Sequence, residues 1–201
     1  MVWYENDVKK LEALQGTLTY NAETIFYGSS SIRLWTTLYD DFFPWRPVNL
    51  GFGGATLAAC VWFFDRIMKP YAPRHIVCYA GDNDLGDGRT AEEVFLFFKQ
   101  LLCEIEHHSP GVPVTFISIK PSISRWNLAH GIRYANQLIQ KEMEARGGKY
   151  YFVNIFDRML DANGHPIREL FDADGLHLSP KGYALWKEVL LQHLQTNFNI
   201  S

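Results

Sequence analysis

Apolar positions along the chain follow two alternating rhythms. Val8, Leu11 and Leu14 recur at helical spacing through a charged segment that stops at Gly16, which predicts an amphipathic first helix with a glycine C-cap. Short β-rich runs then recur, at residues 24–27 before Gly28, 47–50 before Gly51, 75–80 before Gly81, 114–119 before Pro121 and 150–156 before Asp157. Helical patterns separate them. Thr90-Ala91-Glu92-Glu93 forms a capping box, continued by Val94, Phe97, Phe98, Leu101, Leu102 and Ile105. A second helix is expected over 128–145, closed by Gly147-Gly148, and a last one opens at Ser179-Pro180 and runs to about residue 197. Strands alternating with helices predict an α/β protein with a parallel sheet covered on both faces. In such sheets ligands bind outside the carboxyl ends of the strands, so the loops that follow the strands should carry the chemistry.

Composition narrows the reading. At 201 residues, 47% apolar and 20% charged, the chain is expected to fold as one domain spanning 1–201. A net charge of −3 excludes the basic surface that nucleic-acid binding needs. The apolar run at 58–64 is far short of the roughly 20 residues of a bilayer span. The first ten residues lack the apolar stretch of a signal peptide, and Cys60, Cys78 and Cys103 lack the spacing of a disulfide framework or zinc site. A cytoplasmic location and three small buried thiols are the expectations, and no metal is called for. Of the thirty aromatic rings, most are expected in the core: Trp62, Phe63 and Phe64 in one helix, Phe95, Phe97 and Phe98 in another, Tyr150, Tyr151 and Phe152 in the last strand.

The loops after the strands carry Gly28-Ser29-Ser30-Ser31, Gly51-Phe52-Gly53-Gly54-Ala55-Thr56 and Gly81-Asp82-Asn83-Asp84, and Asp174-Gly175-Leu176-His177 stands near the end. A serine hydroxyl attacks a carbonyl only if a base takes its proton, and the base needs an orienting group. Asp174 and His177, three apart, would meet on one helical turn. The oxyanion of acyl transfer needs donors, and the Ser30 N–H, the Gly54 N–H and the Asn83 side-chain amide would supply three.

Together these four blocks resemble the SGNH hydrolases, also called the GDSL-like lipase/acylhydrolase family, from Ile25 to about Trp186. The resemblance implies Ser30 as nucleophile, Asp174 and His177 as its partners, and Ser30, Gly54 and Asn83 as the oxyanion hole. It also implies a flavodoxin-like three-layer α/β/α sandwich around a central five-stranded parallel sheet, and ester hydrolysis without a cofactor. Ser29 replaces the family's Asp, a variant matched by Gly-Ser-Ser-Ser branches of the family. The Gly-x-Ser-x-Gly elbow is absent, Thr56 stands where a dinucleotide loop needs glycine, Gly86 and Asp87 break a calcium-loop pattern, and paired zinc-ligand histidines are missing. Arg33, Trp35, Phe52, Lys120, Arg125 and Trp126 are candidates for the substrate rim. Aromatics beside an arginine would suit acetyl or other short esters, for example on carbohydrates, with lysophospholipase or thioesterase activity as the alternative. A flavodoxin-like binding module without turnover is the rival from another class.

Overall fold

The computed structural model describes residues 1–198; residues 199–201, the end of the expected 1–201 unit, lie outside the described residues. Helix α1 (Glu5–Leu14) precedes β1 (Thr24–Gly28). Helices α2 (Ser30–Arg33) and α3 (Leu38–Asp41) lead to β2 (Pro47–Gly51), and α4 (Leu57–Trp62) and α5 (Phe64–Met68) to β3 (His75–Tyr79). Helices α6 (Asp82–Gly86) and α7 (Ala91–His108) lead to β4 (Val114–Ile117), α8 (Ala129–Arg146) to β5 (Tyr150–Val153), and α9 (Pro180–Asn197) follows.

All strand pairs are parallel, in the order β2-β1-β3-β4-β5. That is the flavodoxin-like order, and the chain reverses direction across the sheet at β1 and β3, where such folds open a crevice. Gly28 pairs with Gly51 on one side and Tyr79 on the other, so three strands end at one level. Every residue of β1 is buried. Ile25 and Tyr27 pack into the core formed with α1, α4, α5, α7 and α8, and Phe26 into the core formed with α2, α3 and α9. Coverage on both faces is why these strands read as continuous apolar runs.

Helix boundaries follow the expected capping chemistry. Thr90 Oγ1 accepts from the Glu93 N–H at 3.3 Å while Glu93 Oε2 accepts from the Thr90 N–H at 2.8 Å. Ser179 Oγ accepts from the Gly182 N–H, with Pro180 in the first turn of α9.

Other expectations are corrected. Gly16 lies inside a 3-10 turn (Gln15–Thr17) that prolongs α1, so it is no left-handed cap. The last strand ends at Val153 because Ser118 Oγ accepts from the N–H groups of Ile155 and Phe156, drawing the backbone out of the ladder. The chain breaks at Phe63 between α4 and α5, which buries Phe63 and Phe64 but leaves Trp62 70% exposed. Phe95, Phe97, Tyr150, Tyr151 and Phe152 are half-buried, whereas Phe98 is in the core. Cys103 is exposed; Cys60 and Cys78 are buried. None of the described helices is long and apolar enough to cross a membrane.

Candidate active site

The site begins where β1 meets α2. Gly28 has φ 146°, and a Cβ there would strike the Tyr79 carbonyl on the neighbouring strand, so only glycine lets the chain turn so close to β3. Ser29 is the N-cap residue and Ser30 the first residue of α2. Ser29 and Ser31 are buried, and Ser30 alone of the three is partly exposed. Among the described residues the Ser30 hydroxyl makes no hydrogen bond, and its N–H, at the helix start, has no backbone acceptor.

The loop after β2 lies beside it. Gly54 adopts φ 67°, a left-handed conformation, and a Cβ there would meet open space, so the glycine answers to backbone shape and not to crowding. Helix α1 and the turn before it brace this loop: Tyr4 Oη donates to the Gly54 carbonyl at 2.9 Å, and the Gly53 N–H donates to Asp7 Oδ2 at 3.2 Å. Two bonds from α6 hold its other side. Asn83 Nδ2 donates to the Ala55 carbonyl at 3.0 Å, and the Leu57 N–H donates to Asp84 Oδ2 at 2.7 Å. Burial pushes the Asp84 carboxyl up to about 6, against the pull of that backbone N–H and of Arg89. Among the described residues the Gly54 N–H has no acceptor.

Asp174 and His177 meet in a turn, and the expected helical turn is absent. An isolated antiparallel bridge between Phe171 and Leu178 closes the segment. Asp174 Oδ1 accepts from the N–H groups of Leu176 and His177 at 2.8 and 3.0 Å, and Oδ2 accepts from His177 Nδ1 at 2.6 Å. The Leu176 N–H, the His177 ring and the His177 N–H together hold the Asp174 carboxyl down to about 2. An ionised Asp174 fixes the proton on Nδ1 and leaves Nε2 as the basic nitrogen. The turn is pinned to the loop after β4, where the N–H groups of Ile123 and Ser124 donate to the Gly175 carbonyl. Tyr183 Oη of α9 donates to the Ser31 carbonyl at 3.1 Å, tying α9 to the helix that carries Ser30.

The rim differs from expectation. Trp35 is a core residue: it packs on Phe26, Phe42 and Trp186, and its Nε1 donates to Asp41. Phe52 is fully buried against Tyr4, Tyr27 and Phe63. Both side chains turn inward to the core. Lys120 is 1% exposed and lies 3.1 Å from Asp82 Oδ2, so it is part of a buried ion pair. Arg33 is exposed beside Gly53, and Trp126 is half-buried with its ring 5.9 Å from that of His165. Arg125 is partly buried on Asn83. Tyr4, Asp7, Asp82 and Asp84 shape the site without having been singled out for it. Only Asp82 and Asp84 carried a sequence signal, as the neighbours of Asn83. Among the described residues no group of three or more His, Cys, Asp or Glu side chains gathers where it could hold a metal ion.

A five-stranded parallel sheet in this order, with helices on both faces and these loops at its carboxyl edge, is the architecture of the SGNH-type ester hydrolases. The model of the GDSL-like Lipase/Acylhydrolase family matches residues 17–185, and the chain belongs to that family of ester-hydrolysing enzymes. Among solved structures it is similar to a protein from Streptococcus pneumonia provisionally named a platelet activating factor, with TM-score 0.83, 23% identity, and 95% of this chain and 92% of that one covered. It is also similar to a GDSL-like lipase from Bacteroides thetaiotaomicron, with TM-score 0.77, 18% identity, and 94% and 97% covered. A third is a lipase/acylhydrolase from Enterococcus faecalis, with TM-score 0.71, 18% identity, and 89% and 98% covered. At these identities the likeness speaks to fold alone. No curated protein matches the chain in sequence.

Proposed function

We propose that this protein is a serine esterase that hydrolyses small carboxylic esters through an acyl-enzyme. The observation that carries the reading is the 2.6 Å Asp174–His177 contact, in a turn pinned through the Gly175 carbonyl to the loop after β4. Ser30 attacks the ester carbonyl while His177 Nε2 takes its proton and returns it to the leaving alcohol. Asp174 orients the ring and stabilises the imidazolium. The Ser30 and Gly54 N–H groups and Asn83 Nδ2 receive the oxyanion, and water then releases the acid by the same steps. Support for Ser30 over Ser29 and Ser31 comes from exposure, since both neighbours are buried.

For the substrate we retain short acyl chains, acetyl esters above all. With Trp35 and Phe52 in the core, the support is the exposed Arg33 beside Gly53, and Trp126 is the remaining candidate ring. Unpaired Cys60, Cys78 and Cys103 support the cytoplasmic reading. The test is a p-nitrophenyl ester series run beside acetylated xylose, a lysophospholipid and an acyl thioester. Activity should peak at acetate and vanish in Ser30→Ala. A peak at long chains would replace the acetyl reading with the lysophospholipase one. Equal rates for Ser30→Ala and the parent would overturn the serine mechanism, and no turnover of any ester would favour a binding module.

A further inference from the structure

Between α6 and the loop after β4 lies a charge network that catalysis by Ser30, His177 and Asp174 does not use. Lys120 and Asp82 are both buried, with Nζ 3.1 Å from Oδ2. Arg125 Nη1 lies 3.4 Å from the same oxygen and donates to the Asp82 carbonyl at 2.9 Å. Burial alone would raise the Asp82 carboxyl, but the charges of Lys120 and Arg125 hold it below its ordinary value, so the carboxyl is ionised. From this anchored position Arg125 donates through both Nη1 and Nη2 to Asn83 Oδ1, each at 3.1 Å.

We infer that Arg125 is a positioning residue for Asn83, locking its side-chain amide with the nitrogen toward the reacting carbonyl. A side-chain amide is nearly symmetric in shape, and a flip exchanges its acceptor and donor ends. In the flipped state an acceptor would face the oxyanion and repel it. Arg125 has only donors, so it accepts only the oxygen end; the Ala55 carbonyl has only lone pairs, so it accepts only the nitrogen end. The two contacts select the same orientation and leave the second Nδ2 proton for substrate. A cation on Oδ1 also polarises the amide and strengthens its N–H as a donor. Arg125 therefore acts through Asn83, and the candidate rim residue becomes a support of the oxyanion hole. The inference rests on the reading of Asn83 as an oxyanion donor.

Steady-state kinetics on p-nitrophenyl acetate test it with Asn83→Ala, Arg125→Met and the double variant. Arg125→Met should lower kcat by about tenfold with KM within about twofold, the signature of an interaction made in the transition state. Placed on Asn83→Ala, the same substitution should cost less than about twofold more, because its target is gone. Gly86→Ala gives a second route: a Cβ there would sit 2.8 Å from the Arg125 guanidinium carbon, displacing a flexible side-chain end. It should lower kcat severalfold at an unchanged unfolding midpoint, and it keeps the test alive if Arg125→Met fails to fold. Two results would overturn the inference alone. One is a full Arg125→Met loss in the Asn83→Ala background; the other is a rise in KM at constant kcat, which would make Arg125 a substrate contact. An Asn83→Ala enzyme with the parent kcat would instead remove the oxyanion reading on which the inference rests.

Discussion

The two ends of the sheet both bury polar side chains, and they do it differently. At the amino end His75 Nε2 lies 2.9 Å from Thr115 Oγ1, which lies 2.8 Å from His193 Nε2, and Phe198 stacks on His75. Burial pulls His75 down to about 3 and His193 to about 4, so this cluster is neutral at neutral pH. At the carboxyl end the buried groups are charged. Lys120, Asp82 and Arg125 form a linked set, and the N–H groups of Ser30 and Gly54 point to no acceptor among the described residues. The amino end holds a neutral chain of His75, Thr115 and His193, with His75 Nδ1 buried without a partner among the described residues, and it serves stability. The carboxyl end holds ionised groups at a cost, and in the proposed mechanism they keep neighbouring donors oriented for charge that appears only during reaction.

Substitutions can break this contrast. The largest effect on stability is expected at the carboxyl end: Lys120→Met leaves the Asp82 carboxylate short of a partner and should cost about 3–5 kcal/mol, read by urea unfolding. A neutral outcome would mean that the ion pair does not hold this end together. Asn83→Ala should lose about 3 kcal/mol of transition-state stabilisation, on the order of a hundredfold in kcat, with the unfolding midpoint nearly unchanged. An equal loss of stability would assign Asn83 to structure. The amino end should respond to acid. An unfolded histidine takes up a proton as pH falls through about 6.5, but folded His75 does so only near 3, so its contribution is complete above 6.5 and declines below it. Between pH 6.5 and 5 the fold should lose about 2 kcal/mol through His75, and His75→Gln should flatten that slope. A parent whose stability is level across this window would contradict the neutral cluster.

What could be read from residues alone follows the range of the interaction. The capping box at Thr90 and Glu93 and the N-cap at Ser179 are local, and both stand as expected. Ser30, Gly54 and Asn83 were legible as positions because each lies within a few residues of a strand end, and parallel pairing brings those ends to one level. The conformation of the Asp174–His177 pair was not, because a spacing of three fits a helical turn and a side-chain-capped turn equally well. Trp35 and Phe52 misled for a related reason: closeness to a motif in the chain says nothing of which way a ring points, and both rings fill the core. Lys120 and Asp82 are 38 residues apart, and nothing local to either announces a partner. The orientation of Asn83 depends on that long-range pair through Arg125, so it emerges only from the folded chain.

In the proposed mechanism Ser30 is the nucleophile and His177 is its base. Labelling the protein with an organophosphonate and mapping the adduct by peptide mass spectrometry tests it most directly. One adduct on Ser30 is expected, lost in Ser30→Ala and strongly slowed in His177→Ala; an adduct on Ser29 or Ser31, or labelling indifferent to His177, would refute the assignment.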